Sequence, residues 1–172
     1  MKTVTKRLIP LLVLAVSVLL MPAAAANAQQ SGAGLRAGVS ANPDQFYFGG
    51  HFDTGYIVDR LSFRPNVEIG LGSGLTSVAG NFEFVYWWAI PNRPWHVYAG
   101  GGPGVNVARF NAQHGDRTDI GPAFNIVGGI AHSRGLFFEV KLGLIHNRLH
   151  PEDLPEPPTA AQVKFGVGYT WK

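Results

Sequence analysis

From Leu35 onward, apolar and polar side chains alternate through eight successive segments. A period of two is the mark of a β-strand with its two faces in different surroundings. The pattern predicts strands at Leu35–Ser40, Gln45–Tyr56, Leu61–Ser73, Val78–Ile90, Trp95–Arg109, Ile120–His132, Leu136–His146 and Ala161–Trp171. Their lengths suit tilted strands of about 9–11 residues that cross a bilayer, the first being short for the purpose. Splitting by parity separates the faces. Phe63, Val67, Ile69 and Leu71 oppose Arg64, Asn66, Glu68, Gly70 and Gly72. Phe82, Phe84, Tyr86 and Trp88 oppose Asn81, Glu83, Val85 and Trp87. Leu136, Phe138, Val140, Leu142 and Leu144 oppose Phe137, Glu139, Lys141 and Gly143. Val163, Phe165, Val167, Tyr169 and Trp171 oppose Gln162, Lys164, Gly166, Gly168 and Thr170.

Alternation alone leaves open which face is inside. A soluble lipocalin-like binding barrel would bury the apolar face. Two features favour the inverted arrangement. Glycine crowds the polar face, at Gly70, Gly72, Gly100, Gly102, Gly104, Gly129, Gly143, Gly166 and Gly168. Small residues belong in a narrow lumen, where side chains compete for space. Large aromatics gather at one set of strand ends: Tyr56, Trp88, Trp95, Tyr169 and Trp171 are expected to form an interfacial girdle. The connections alternate too. Ile57–Arg60, Pro91–Pro94 and Ser133–Gly135 are short; 111–119 and 147–160 are long, with Ala41–Asp44 and Gly74–Ser77 as shorter members of that second set. The expected fold is all-β: an eight-stranded antiparallel up-and-down transmembrane β-barrel, short turns in the periplasm and longer loops outside.

The first residues change the charge balance. Lys2, Lys6 and Arg7 precede an apolar run from Leu8 to Met21, and Ala26-Asn27-Ala28 supplies a small-x-small cleavage pattern. We expect a signal peptide over 1–28 and one barrel domain over 29–172. Three of the 14 Lys and Arg fall in that signal, so the remainder balances the 11 Asp and Glu. The mature chain is therefore near neutral, and nucleic-acid binding loses its support. The chain has no cysteine, which excludes disulfide staples and thiolate metal sites.

With these residues in hand, the chain resembles the small outer-membrane β-barrels related to the OmpA transmembrane domain, OmpX and OmpW. The resemblance rests on Trp95-His96-Val97-Tyr98-Ala99-Gly100-Gly101-Gly102-Pro103-Gly104, on Phe137-Phe138-Glu139-Val140-Lys141-Leu142-Gly143, and on the closing Val163-Lys164-Phe165-Gly166-Val167-Gly168-Tyr169-Thr170-Trp171. It implies residence in a bacterial outer membrane, contact with outer-membrane lipid, and delivery by a barrel assembly machinery that reads the terminal strand. That strand departs from the family's aromatic ending, since Lys172 follows Trp171. Barrels of this kind serve as anchors, adhesins, small pores and lipid enzymes, so fold does not choose among roles.

Candidate chemistry narrows the choice. The inward charges are Arg36, Asp53, Arg64, Glu68, Glu83, Glu139, Lys141 and Lys164, four of each sign. An eight-stranded interior is just wide enough for side chains, so they are expected to form a structural, salt-bridged lumen cluster rather than an ion path. Centring the first turn on Val58 and Asp59 sets Asp53 opposite Arg64 as an ion pair. Centring the next hairpin on Pro91–Pro94 sets Trp87 against Tyr98 and Val85 over Gly100. Gly100–Gly104 lacks the Lys-Ser/Thr and the helix of a phosphate loop. His114, His146 and His150, with Glu152 and Asp153, sit in or beside the long loops, as solvated residues and not as a metal site. A lipid A deacylase-like barrel would need His and Ser two apart on one face; His132 and Ser133 are adjacent and point to opposite faces. We expect a non-enzymatic outer-membrane and surface component, monomeric, without cofactor or metal. Loops 111–119 and 147–160 are its expected contact surface for an extracellular partner.

Overall fold

The computed structural model describes residues 31–110, 117–146 and 159–172. The expected signal peptide and most of the two long loops, with His114, His150, Glu152 and Asp153, lie outside the described residues. Nine strand segments follow one another: β1 (Gly32–Ala41), β2 (Gln45–Asp53), β3 (Tyr56–Val58), β4 (Leu61–Gly72), β5 (Leu75–Ala89), β6 (Trp95–Phe110), β7 (Arg117–His132), β8 (Leu136–His146) and β9 (Thr159–Trp171). Apart from β2 and β3, consecutive segments pair antiparallel, and β1 pairs with β9 to close the sheet. β2 and β3 are one stave, interrupted at Thr54-Gly55, and both lie along β4. The result is a closed eight-stranded up-and-down barrel. Closure satisfies backbone donors and acceptors without leaving an edge.

Several strands run further than the alternation suggests. β1 has 10 residues and is not a short exception. β5 begins at Leu75, so the expected Gly74–Ser77 loop shrinks to a turn at Ser73-Gly74, with Gly74 in the left-handed region at φ 73°. β7 begins at Arg117, which takes 117–119 out of the expected loop, and β9 begins at Thr159. The physical reason is that a ladder is made by the backbone. It continues through polar residues such as Thr76, opposite Arg109, after the apolar alternation has faded. The β5–β6 ladder skips only Phe82 and Glu83, across from Gly102 and Pro103, where proline has no N–H to donate.

The first hairpin also departs from expectation. Its tight turn centres on Asp59 and Arg60, the latter at φ 57°, and not on Val58 and Asp59. Yet β2 and β4 keep the expected register, with Gly49 opposite Glu68 and His51 opposite Asn66. The offset is absorbed at Thr54-Gly55. Gly55 sits at φ 73° and donates its N–H to Asp53 Oδ1 at 3.0 Å, while Thr54 N donates to Phe63 O at 3.1 Å. This irregularity reverses the parity of the stave. Odd residues face inward through Asp53, and then Tyr56 faces inward. Tyr56 packs against the buried cluster of Val85, Trp87, Tyr98, Val127 and Phe137 inside the barrel, so it is not part of the outer girdle.

The two faces are opposite in character. Outward lie Leu35, Phe46, Ile126, Leu142 and Phe165, each about half exposed. Inward lie Arg36, Arg64, Glu68, Glu83, Glu139 and Lys141, all buried. The core of this protein is therefore a polar lumen, and its apolar side chains form the outer wall.

Candidate functional site

The lumen is built in three tiers along the barrel axis. At the end with the tight turns, Val85, Trp87, Tyr98, Val127 and Phe137 form a small apolar cluster. Trp87 stands across from Tyr98 with ring centroids 4.8 Å apart, and its Nε1 donates to Ser62 Oγ at 2.9 Å. Val85 lies opposite Gly100. His51 is buried here too. Its Nε2 is 2.9 Å from Thr170 Oγ1 and its ring meets Phe137 edge-on.

The middle tier is ionic. Three carboxylates, Glu68, Glu83 and Glu139, sit among four cations contributed by four staves. Glu139 receives Arg36 at 2.7 Å, Arg64 at 3.3 Å and the Tyr98 hydroxyl at 3.1 Å. Glu68 receives Lys141 at 2.5 Å, Lys164 at 2.8 Å and Arg36 at 3.5 Å. Glu83 receives Lys141 at 2.7 Å and Arg64 at 3.6 Å. Aromatic faces cover the cations: Arg64 lies 4.8 Å from the Tyr98 ring centre and Lys164 5.2 Å from that of Tyr47. These contacts cross the lumen and tie β1, β4, β5, β8 and β9 together. Dense pairing is what makes so many buried charges tolerable.

The third tier, toward the other rim, is neutral. Asn125 donates to Asn81 Oδ1 at 2.6 Å, and Asn81 donates to Asn66 Oδ1 at 2.8 Å. Ser77 donates to Gln45 at 3.1 Å, and Gln162 to Ser40 at 3.4 Å.

Seven of the eight expected lumen charges share the ionic tier. Asp53 does not. It lies on the register line of Arg64, but its carboxylate turns to Gly55 N, while the Arg64 guanidinium reaches across the lumen to Glu139 and Glu83. A longer side chain chose the far wall, where two carboxylates are buried, over one at the bulge. Of the expected girdle, Trp88, Tyr169 and Trp171 stand exposed on the outer wall and Trp95 is half-buried. Tyr169 and Trp171 contact each other at 5.5 Å between ring centres, and Trp95 meets His132 edge-on. Sequence reasoning passed over Tyr47, His51 and Asn125, and set Asn66 and Asn81 on the inner face without a role. Parity was the available signal, since all of them fall on the face that carries the charges. Among the described residues, no cluster of His, Asp and Glu could hold a metal ion.

Glycines on the inner face are seats for these rings. A Cβ on Gly166 would run into the Tyr47 hydroxyl, and one on Gly168 into the Phe137 ring. The lumen is thus filled by large side chains lying over bare backbone, and its chemistry is that of a plug.

No protein-family model matches the chain, and no curated protein matches it either. Solved structures do. The N-terminal β-barrel domain of Pseudomonas aeruginosa OprF superposes with a TM-score of 0.58 at 13% identity, covering 84% of this chain and 100% of that one. Neisserial surface protein A gives 0.58 at 10% identity, covering 82% and 96%. The outer membrane enzyme PagL gives 0.50 at 11% identity, covering 81% and 99%. The fold is that of the small eight-stranded outer-membrane barrels. At such identities the likeness reaches the fold alone, and one of these three proteins is an enzyme.

Proposed function

We propose that this chain is an integral barrel of a bacterial outer membrane and works there as a non-enzymatic membrane or surface component. One observation carries the proposal: polarity is inverted, with an apolar band wrapped around a charged, packed lumen. In water, an unbroken apolar wall of this kind would drive aggregation; in hydrocarbon it needs no partner. The aromatic ends at Trp88, Trp95, Tyr169 and Trp171 mark one interface. In this arrangement the turns at Asp59-Arg60, Pro91–Pro94 and Ser133–Gly135 face the periplasm.

The filled lumen supports a structural role over transport. Against an enzymatic role stand the surroundings of His51 and His132. His51 is enclosed in the lumen against Thr170 and Phe137. His132 accepts the N–H of Arg134 at its own turn and meets Trp95 edge-on. Neither arrangement presents a His-activated serine to lipid. Fractionation tests the proposal. The protein should remain with outer membranes after a urea wash and migrate faster unheated than heated on a gel. Recovery from the periplasm without detergent would refute membrane residence. A change in lipid A mass between cells with and without the protein would refute the non-enzymatic role.

A further inference from the structure

The outer wall is not uniform. A groove of about 650 Å³ crosses it, floored where Ala37 and Gly50 interrupt the large side chains. Its walls follow rows of cross-strand partners. Leu136 pairs with Tyr169, Tyr169 with Leu35, Leu35 with Gly50, and Gly50 with Val67. The row therefore spans β8, β9, β1, β2 and β4, four inter-strand steps of about 4.8 Å, or roughly 19 Å. It also climbs. Leu136 opens β8 and Tyr169 lies near the end of β9, both at the tight-turn rim, whereas Gly50 and Val67 lie mid-stave.

The low end of the groove has a different chemistry. Tyr169 and Trp171 stand there together. The turn carrying Arg134 is laced to the same end, since Thr170 N donates to Gly135 O at 2.9 Å. Arg134 is exposed, whereas Lys172 lies with Asp53 and Thr170 at the mouth of the lumen. An apolar channel of acyl-chain length thus ends at Tyr169, with Trp171 beside it and the turn that carries Arg134 tied to the same strand end. We propose that the groove holds one acyl chain of an anionic glycerophospholipid from the periplasmic leaflet, with its phosphate beside Arg134. The assignment rests on the membrane residence proposed above. Shape selects a chain over bulk solvent, and charge at the rim selects the headgroup.

Filling the groove is sterically open. A Cβ on Gly50 would meet nothing closer than 3.7 Å, so Gly50→Leu should occupy the floor without disturbing the fold. Gly128, on β7 across the barrel, is similarly open, its nearest neighbour being Tyr98 O at 3.8 Å, and Gly128→Leu is the matched control. Each protein is reconstituted in vesicles of phosphatidylethanolamine and phosphatidylglycerol, extracted in mild detergent, and weighed by native mass spectrometry. The wild type and Gly128→Leu should retain one phosphatidylglycerol per chain. Gly50→Leu should retain about tenfold less, the equivalent of roughly two buried methylenes. Arg134→Gln should keep a bound lipid and lose the preference for phosphatidylglycerol. Insertion without retained lipid, or retention unchanged by Gly50→Leu, overturns this inference alone. A two-chain mass that Gly50→Leu halves also overturns it, and would make the occupant a second copy. A chain that stays outside the vesicles overturns the membrane residence and this inference with it.

Discussion

Glu68→Gln is the sharpest test of the ionic tier. The substitution preserves volume and removes one charge, so packing is not in question. Glu68 is 1% exposed and is approached by Lys141 at 2.5 Å, Lys164 at 2.8 Å and Arg36 at 3.5 Å. Lys141 retains Glu83 at 2.7 Å, and Arg36 retains Glu139 at 2.7 Å. Among the described residues Lys164 retains only the Tyr47 ring, and it becomes the main uncompensated charge. Orphaning a buried charge costs about 3–5 kcal/mol. With a urea slope of about 1–3 kcal/mol per M, the unfolding midpoint in lipid vesicles should fall by at least about 1 M. Tryptophan fluorescence and the shift between folded and heated gel bands both report it. The second arm removes the orphan. Lys164→Met in the Glu68→Gln background should recover stability, with a coupling energy of about 1–3 kcal/mol in a double-mutant cycle. A loss below about 1 kcal/mol for Glu68→Gln, or additive effects of the two substitutions, would mean that water in the lumen solvates these charges, and would refute the plug.

Three other outcomes follow from the same geometry. Gly166→Ala pushes a Cβ into the Tyr47 hydroxyl and should cost about 1–3 kcal/mol as overpacking; Tyr47→Phe should be nearly neutral alone, since that buried hydroxyl has no hydrogen-bond partner among the described residues, and should rescue Gly166→Ala in urea titrations. In single-tryptophan variants, brominated lipid should quench Trp88 and Trp171 strongly and Trp87 weakly, because Trp87 faces Ser62 and Tyr98 inside the lumen; equal quenching of Trp87 and Trp88 would contradict the parity of β5. Planar bilayers containing the purified protein should show no stable steady conductance, as Arg64, Glu83, Lys141 and Tyr98 fill one cross-section; large lasting channels would overturn the filled lumen. For topology, a tag at the Ser73-Gly74 turn should be labelled on intact cells and one at Arg134 should not, and the reverse would invert the barrel.

What the sequence determined by itself was the parity of the strands, the second stave beyond Asp53 excepted. Alternation is a local consequence of the pleat: Phe138, Val140 and Leu142 face one way and Glu139 and Lys141 the other, whatever lies beside them. Strand count, hairpin order and the identity of seven lumen charges follow from that, as does the approximate register of β2 on β4. Strand ends were less legible, because Thr76 and Thr118 extend ladders held by backbone hydrogen bonds and not by apolar contact. Only the tertiary structure decided which charges meet. Arg64 bypasses Asp53 on the neighbouring stave and joins Glu139 on β8, a choice set by side-chain reach across a closed lumen. Only the structure placed Tyr56 inside, because a bulge at Thr54-Gly55 shifts parity by one residue and leaves almost no trace in the pattern. The groove at Ala37 and Gly50 is likewise invisible along the chain. The row of partners that builds it runs across five strands far apart in sequence, and only closure of the barrel brings Leu136 and Val67 onto one wall.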